Sequence, residues 1–345
     1  MMQRRQCLRW AAGLLCSAVS VPMLAASPAA RQDRAAKLLW RERTLLGFGT
    51  TLWIRAGDES ADKLEAALDA AVRELRSVER QMSLFDPDSA ISRLNAQGVL
   101  QQPDPQLREV LALSLQVARA SGGSFDPSMQ PLWQVWAGAA QAHTLPTARE
   151  VQRARARVNW RAIEVASSVL RLNLPRMGVS LNGIAQGYAA DRVRALLQSH
   201  GIQHAMADTG ETVTLGRSPA REPWTFGMED AANSRPNERV NADGPVLLSD
   251  GRAIATSSDV HTAFSADRRY HHILDPRTGY SPAHWSSVTV IADRCVLADA
   301  LTKVFFMLPP SQVMAHAQRW NVDVLLEDKA GRWTASEGAR KLLRA

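Results

Sequence analysis

Asp299 stands in a run that is otherwise mostly apolar, Val296-Leu297-Ala298-Asp299-Ala300-Leu301-Thr302-Lys303-Val304-Phe305-Phe306. A buried carboxylate is costly unless it is paired or coordinating. On a helix, Lys303 lies four residues on and Thr302 three, both near the face of Asp299. The pattern suits an ion pair or a metal or phosphate site. A second cluster runs Tyr270-His271-His272-Ile273-Leu274-Asp275-Pro276-Arg277-Thr278-Gly279. Asp275 before Pro276, with Gly279 following, fits a turn. Adjacent histidines on an extended segment face opposite sides, so at most one serves a given site, and a zinc pair is disfavoured. Ser124-Phe125-Asp126 could cap a helix or contact a planar ligand. In the stretch 179–191 a short apolar run ends at Leu181, Asn182-Gly183 turns, and a helix begins. N–H groups at such a helix start attract anions, and glycine allows close approach.

The elements that must hold these clusters follow from periodicity. Residues 38–55 alternate as β-structure around Gly47-Phe48-Gly49-Thr50, and 62–82 form a strongly amphipathic helix. Asp88 and Ser89 cap a short helix carrying Ile91 and Leu94, closed by Asn95. Residues 106–121 form a helix ended by Gly122-Gly123, 129–136 look helical, 137–146 read as a polar loop, and 147–158 form another helix. A hairpin at 163–174 leads into a strand, the Asn182-Gly183 turn and a helix from 184 to about 199. Residues 204–215 read as a strand pair around Asp208-Thr209-Gly210-Glu211, 224–252 as a hairpin excursion, and 253–264 as carrying a Ser/Thr-rich turn at 255–259. A strand at 287–292, a buried helix at 297–308, a strand at 322–326 and a closing hairpin complete the chain. This order, without internal repeat or linker, predicts one α+β domain with a mixed or antiparallel sheet and surrounding helices.

The chain has 345 residues, 46% hydrophobic and 22% charged, enough for a real core. Its net charge of +7 comes from scattered Lys and Arg with no basic block in the body, which argues against nucleic-acid binding. Arg4, Arg5 and Arg9 precede an uncharged stretch from Trp10 to Ala30 that ends in small residues. That pattern predicts a signal peptide over 1–30, of twin-arginine-like or general secretory type, a mature domain over 31–345, and a periplasmic location. Cys7 and Cys16 would leave with the leader, so only Cys295 remains and no internal disulfide is expected.

Taken in order, several segments resemble the ApbE family of FAD:protein FMN transferases. They are Met82-Ser83-Leu84-Phe85-Asp86-Pro87-Asp88-Ser89-Ala90-Ile91-Ser92-Arg93-Leu94-Asn95, Gly123-Ser124-Phe125-Asp126, Asn182-Gly183-Ile184-Ala185-Gln186-Gly187-Tyr188, Ala255-Thr256-Ser257, 272–279 and Ala298-Asp299-Ala300-Leu301. The resemblance implies a single fold related to the T-fold. It implies FAD as substrate, Mg²⁺ at the pyrophosphate, and transfer of FMN to a Ser or Thr hydroxyl of an exported or membrane-bound acceptor flavoprotein, releasing AMP. Residue by residue, it places Phe85, Ser124, Phe125, Asp126, Ser180, Gly183, Gln186 and His272 at the flavin nucleotide. It gives His272 and Asp275 catalytic roles, and a metal to the side chain of Asp299 and the carbonyl of Ala185. The chain departs from the family pattern at Ser180 (often Asp), Gln186 (often Lys), Thr209 (often Gly), Phe48 (often Met) and Lys303, where a metal-binding Thr is usual. An ammonium cannot ligate Mg²⁺. Either Thr302 turns its hydroxyl to the metal, or Lys303 pairs with Asp299 and takes over charge neutralisation. These departures leave FAD-binding or flavin-delivery without transfer, and FAD pyrophosphatase activity, as alternatives to the transferase.

Overall fold

Alternation over 38–55 folds as a hairpin, β1 (Leu39–Gly47) and β2 (Thr50–Asp58), closed by Phe48-Gly49 at φ 49° and 75°. Paired positive φ values match the right-handed twist of the flanking strands. This computed structural model describes residues 38–235 and 243–344, so the expected leader at 1–30 lies outside the described residues. The remaining strands are β3 (Val99–Gln101), β4 (Ile163–Val165), β5 (Val169–Leu172), β6 (His204–Asp208), β7 (Thr212–Leu215), β8 (Thr225–Gly227), β9 (Val246–Leu248), β10 (Ala253–Ser258), β11 (Trp285–Ala292), β12 (Asp323–Asp328) and β13 (Trp333–Ala335). The helices are α1 (Ala61–Met82), α2 (Ala90–Gln97), α3 (Pro105–Ala120), α4 (Gln130–Gln141), α5 (Ala148–Arg155), α6 (Ala185–Ser199), α7 (Cys295–Phe306), α8 (Pro310–Trp320) and α9 (Glu337–Leu342).

The main sheet has the order β1-β2-β6-β7-β10-β11-β12-β13, with its neighbouring strands antiparallel throughout. Period-two alternation sends Leu52, Ile54, Ala205, Ala207, Ala255, Val288 and Val290 into one core with α1, α6 and α7. The opposite face carries Met206, Ile254, Ile291 and Leu325, covered by Trp224, Phe226 and Leu247 from the β8–β9 excursion and Ala339 of α9. With both faces covered, β11 is buried along its length, which is why it reads as a nearly continuous apolar and small run. The α+β architecture expected from the order of elements is the one observed. Among the described residues, no helix is long and apolar enough to cross a membrane.

Several local expectations are corrected. The run at 179–181 is not a strand: the Asn95 side chain accepts the Val179 N–H (2.6 Å) and donates to its carbonyl (2.8 Å), while the Ser180 N–H goes to Pro127. Asn95 therefore does not close α2; Gly98 does, at φ 73°. Helix α4 continues to Gln141 into the expected polar loop. The Ser/Thr-rich segment 255–258 is part of strand β10, paired with β11. Helices α8 and α9 are additional to the expected elements.

Candidate functional site

The site is built on the seam between α6 and α7. Helix α7 has no side-chain cap from Arg294; Asp191 of α6 accepts the Cys295 N–H (2.9 Å) and the Val296 N–H (3.0 Å) instead. One turn on, the helices touch at Gly187, where a Cβ would lie 2.4 Å from the Cys295 carbonyl and 2.7 Å from Asp299 Cβ. The Gly187 N–H donates to Asp299 Oδ2 at 3.0 Å. Lys303 binds the other carboxylate oxygen and donates to the Asp299 carbonyl at 3.1 Å. The Thr302 hydroxyl donates to that same carbonyl (2.7 Å) and meets the Ser257 hydroxyl (2.7 Å). Asp299 and Thr302 are fully buried, whereas the Lys303 side chain keeps 21% of its surface.

Lys303 lines an open cleft formed by the α6 N-terminus, the ends of β6, β7 and β10, strand β8 and the 270–282 loop. Loop 270–282 is held to α4 by the Trp136 indole N–H, which donates to the Gly279 carbonyl at 2.9 Å, and by packing of Trp136 on Tyr270 and Tyr280. His272 lines the cleft, while His271 is fully buried with its Nε2 on the Pro282 carbonyl. Burial pushes the His271 imidazole down to about 3, so it stays neutral.

Ser124, Phe125, Asp126, Ser180, Gly183, Gln186 and His272 line this one cleft, although their sequence separations are large. Asp126 is also structural: Oδ1 accepts from the Ser128 N–H and hydroxyl, and Oδ2 from the Trp160 N–H. Burial raises its carboxyl against those hydrogen bonds. Phe85 is not in the cleft lining and is 63% exposed, its ring packed on Gly49 beside the cleft-lining Thr50. Asp275 also stands outside the lining, its carboxylate occupied by the Arg277 guanidinium and N–H. Ala185 is buried as the first residue of α6, behind the lining. The N–H groups of Ile184 and Ala185 turn back to the Leu181 carbonyl, so those donors are used within the protein rather than offered to an anion.

Several further residues line the cleft that carry no local mark of function in the sequence. Glu211 and Asp208 flank the β6–β7 turn and are buried at its floor. Burial, then the charge of Asp299, holds the Glu211 carboxyl well above the usual range, with Lys303 opposing. Burial pushes Asp208 up to about 6 against hydrogen bonds from the Gly210 N–H and Trp53. His261 and Glu229 meet at 2.6 Å on the cleft wall. The available signal was acidic residues on both sides of a turn at Gly210, whose φ of 98° fixes a tight reversal. Nothing local showed that the turn closes on α7.

Comparison with known proteins accounts for this convergence. The ApbE family model matches residues 48–326. The FAD:protein FMN transferase of Vibrio cholerae is 29% identical over 291 residues, covering 81% of this chain and 84% of the relative. That of Treponema pallidum is 28% identical, covering 88% and 87%. Among solved structures, the flavin transferase ApbE from Vibrio cholerae superposes with a TM-score of 0.76 at 26% identity, over 89% of this chain and 100% of the other. The ApbE protein of Thermotoga maritima, at 24% identity and a TM-score of 0.78 over 89% and 100%, shares the fold. The chain belongs to the ApbE family.

Proposed function

We propose that the chain is an FAD:protein FMN transferase, passing the FMN part of FAD to a Ser or Thr hydroxyl of an acceptor protein and releasing AMP. What carries this reading is the family match over residues 48–326 together with a single cleft lined by motif residues from distant segments. Chemically, the acceptor oxygen bonds to the phosphorus on the riboflavin side. The bond from that phosphorus to the AMP phosphate breaks, and AMP leaves with the electron pair. Phe125, Met129 and Trp133 offer apolar surface for the flavin ring. Ser124, Ser180 and Gln186 supply hydroxyl and amide partners. His272 lines the cleft, and we assign its imidazole to take the acceptor proton. Asp275 holds the loop through Arg277 rather than reaching the cleft.

The resemblance also implies magnesium, whose donors would be Asp299, Thr302 and the Ala185 carbonyl. Asp299 gives one oxygen to Gly187 and the other to Lys303, Thr302 spends its hydroxyl on Asp299 and Ser257, and Ala185 lies behind the lining. Mg²⁺ demands an open shell of oxygens at about 2.0–2.1 Å. The residues present do not fit it.

We also read residues 1–30 as an export signal and the acceptor as a periplasm-facing redox subunit, on the leader alone. Cell fractionation with Arg4→Lys/Arg5→Lys tests this; unchanged export by a strain lacking twin-arginine transport would assign the general route. The transferase reading is tested by following AMP from FAD with and without a hydroxyl-bearing acceptor. Acceptor-dependent AMP supports transfer. AMP formed equally without acceptor would make the protein a pyrophosphatase, and FAD bound intact would make it a carrier.

A further inference from the structure

A buried carboxylate needs a counter-charge, and here the chain supplies its own. Lys303 places its ammonium on Asp299 from one helical turn away, with both atoms of the pair on the α7 face that meets α6. An ammonium has three donors. Among the described residues, the contacts of Lys303 Nζ are the carboxylate and carbonyl of Asp299, which leaves one donor for the cleft. The stem runs alongside Gly183, where a Cβ would come within 3.2 Å of Lys303 Cε; glycine keeps the backbone out of its path. The ammonium is thus partly exposed at the cleft surface, beside the turn that opens α6.

The surroundings also argue for a cation built into the chain. Around the ammonium lie Asp299 and Glu211, and Thr302 and Ser257 satisfy one another instead of presenting oxygens. Adding a divalent ion would require expelling Lys303 from a fully buried carboxylate, and among the described residues no three His, Cys, Asp or Glu side chains are grouped to hold one.

We propose that Lys303 takes the place of a divalent cation, holding a pyrophosphate oxygen of FAD and neutralising the departing AMP phosphate, so that flavin transfer by this chain needs no metal. The inference rests on the transferase reading. As the acceptor oxygen bonds to phosphorus and the bond to AMP breaks, the negative charge gathered on the AMP phosphate is met by the ammonium, while the acceptor proton passes to His272. Asp299 acts as a positioning residue: it fixes Lys303 and does not touch the nucleotide.

The test is FAD affinity of the mature chain, read by flavin fluorescence, in EDTA and in millimolar MgCl₂, with magnesium titration calorimetry alongside. Wild type is expected to bind FAD within about twofold in the two buffers and to give no saturable magnesium heat. Lys303→Thr is expected to lose about tenfold or more in EDTA, the scale of one charge-assisted contact, and to recover in magnesium. Lys303→Arg, which keeps the charge if the threonine variant fails to fold, should remain indifferent to magnesium. Wild-type FAD binding that tightens more than about tenfold in magnesium would overturn the proposal. Magnesium-indifferent binding with no transfer to any acceptor would refute the transferase reading and leave the cation assignment standing. No FAD binding in either buffer would overturn both.

Discussion

Gly187→Ala tests the geometry on which the site depends. By helix propensity alone, alanine inside α6 should stabilise by about 1 kcal/mol. The structure predicts the reverse. The new Cβ would meet the Cys295 carbonyl at 2.4 Å and Asp299 Cβ at 2.7 Å, where ordinary contact begins near 3.4 Å. Both obstacles belong to α7, one of them backbone, so the helices must part by about 1 Å at a seam packed like a crystal. Overpacking of this kind costs about 1–3 kcal/mol. Separation also stretches the Gly187 N–H bond to Asp299, and hydrogen bonds to charged groups are worth about 1.5–3 kcal/mol. Against the propensity gain, the net loss is about 3 kcal/mol. With a urea slope of about 3 kcal/mol/M, the unfolding midpoint falls by about 1 M at unchanged slope. Folded variant should also bind FAD more weakly, because Asp299 and Lys303 move with α7. A midpoint equal to or above that of wild type would show that α6 and α7 do not meet at Gly187, and the description of the seam would be wrong.

Other expectations follow from the same geometry. His272→Ala should abolish acceptor modification with little change in the unfolding midpoint, whereas His271→Ala should lower the midpoint; the opposite assignment of effects would mean the loop is turned over. Asp208 binds its proton more tightly folded than unfolded, since its carboxyl is raised from 3.8 to about 6. Its contribution therefore falls as pH rises through that window, by about 2–3 kcal/mol, and Asp208→Asn should remove this part of the pH dependence in urea titrations between pH 4 and 7. Trp136→Phe removes the indole donor to Gly279 and should weaken FAD binding several-fold while α4 stays folded by circular dichroism; unchanged affinity would separate the loop anchor from the site.

Periodicity and turn chemistry were enough to read the main hairpins and the long helices, because α1, α3 and α7 bury regular stripes and β6–β7 turns at a glycine. Failures occurred where long-range partners override local pattern. Asn95 has the composition of a helix end, but its amide is taken by Val179, 84 residues away. Ser257 and Ser258 look like turn residues, yet pairing with β11 makes them strand. The Asn182-Gly183 turn reads as an anion site by its helix start, but Leu181 absorbs the first N–H groups. Lys303 shows both sides of the matter. Its spacing from Asp299 identified the pair, while its position on the cleft depends on Gly183 and on how α6 crosses α7. Glu211 carries no local mark of function; only sheet closure brings it to the same floor.

Transfer of FMN onto a protein hydroxyl can be observed directly. The most direct measurement is peptide mass spectrometry of a candidate periplasmic redox subunit after incubation with the mature chain and FAD, with AMP assayed in the same tube. The expected result is one FMN phosphoester on a single Ser or Thr, AMP in equal amount, and loss of both when that residue is replaced by alanine. AMP formed without any flavin-bearing peptide, across acceptors that related transferases modify, would contradict it.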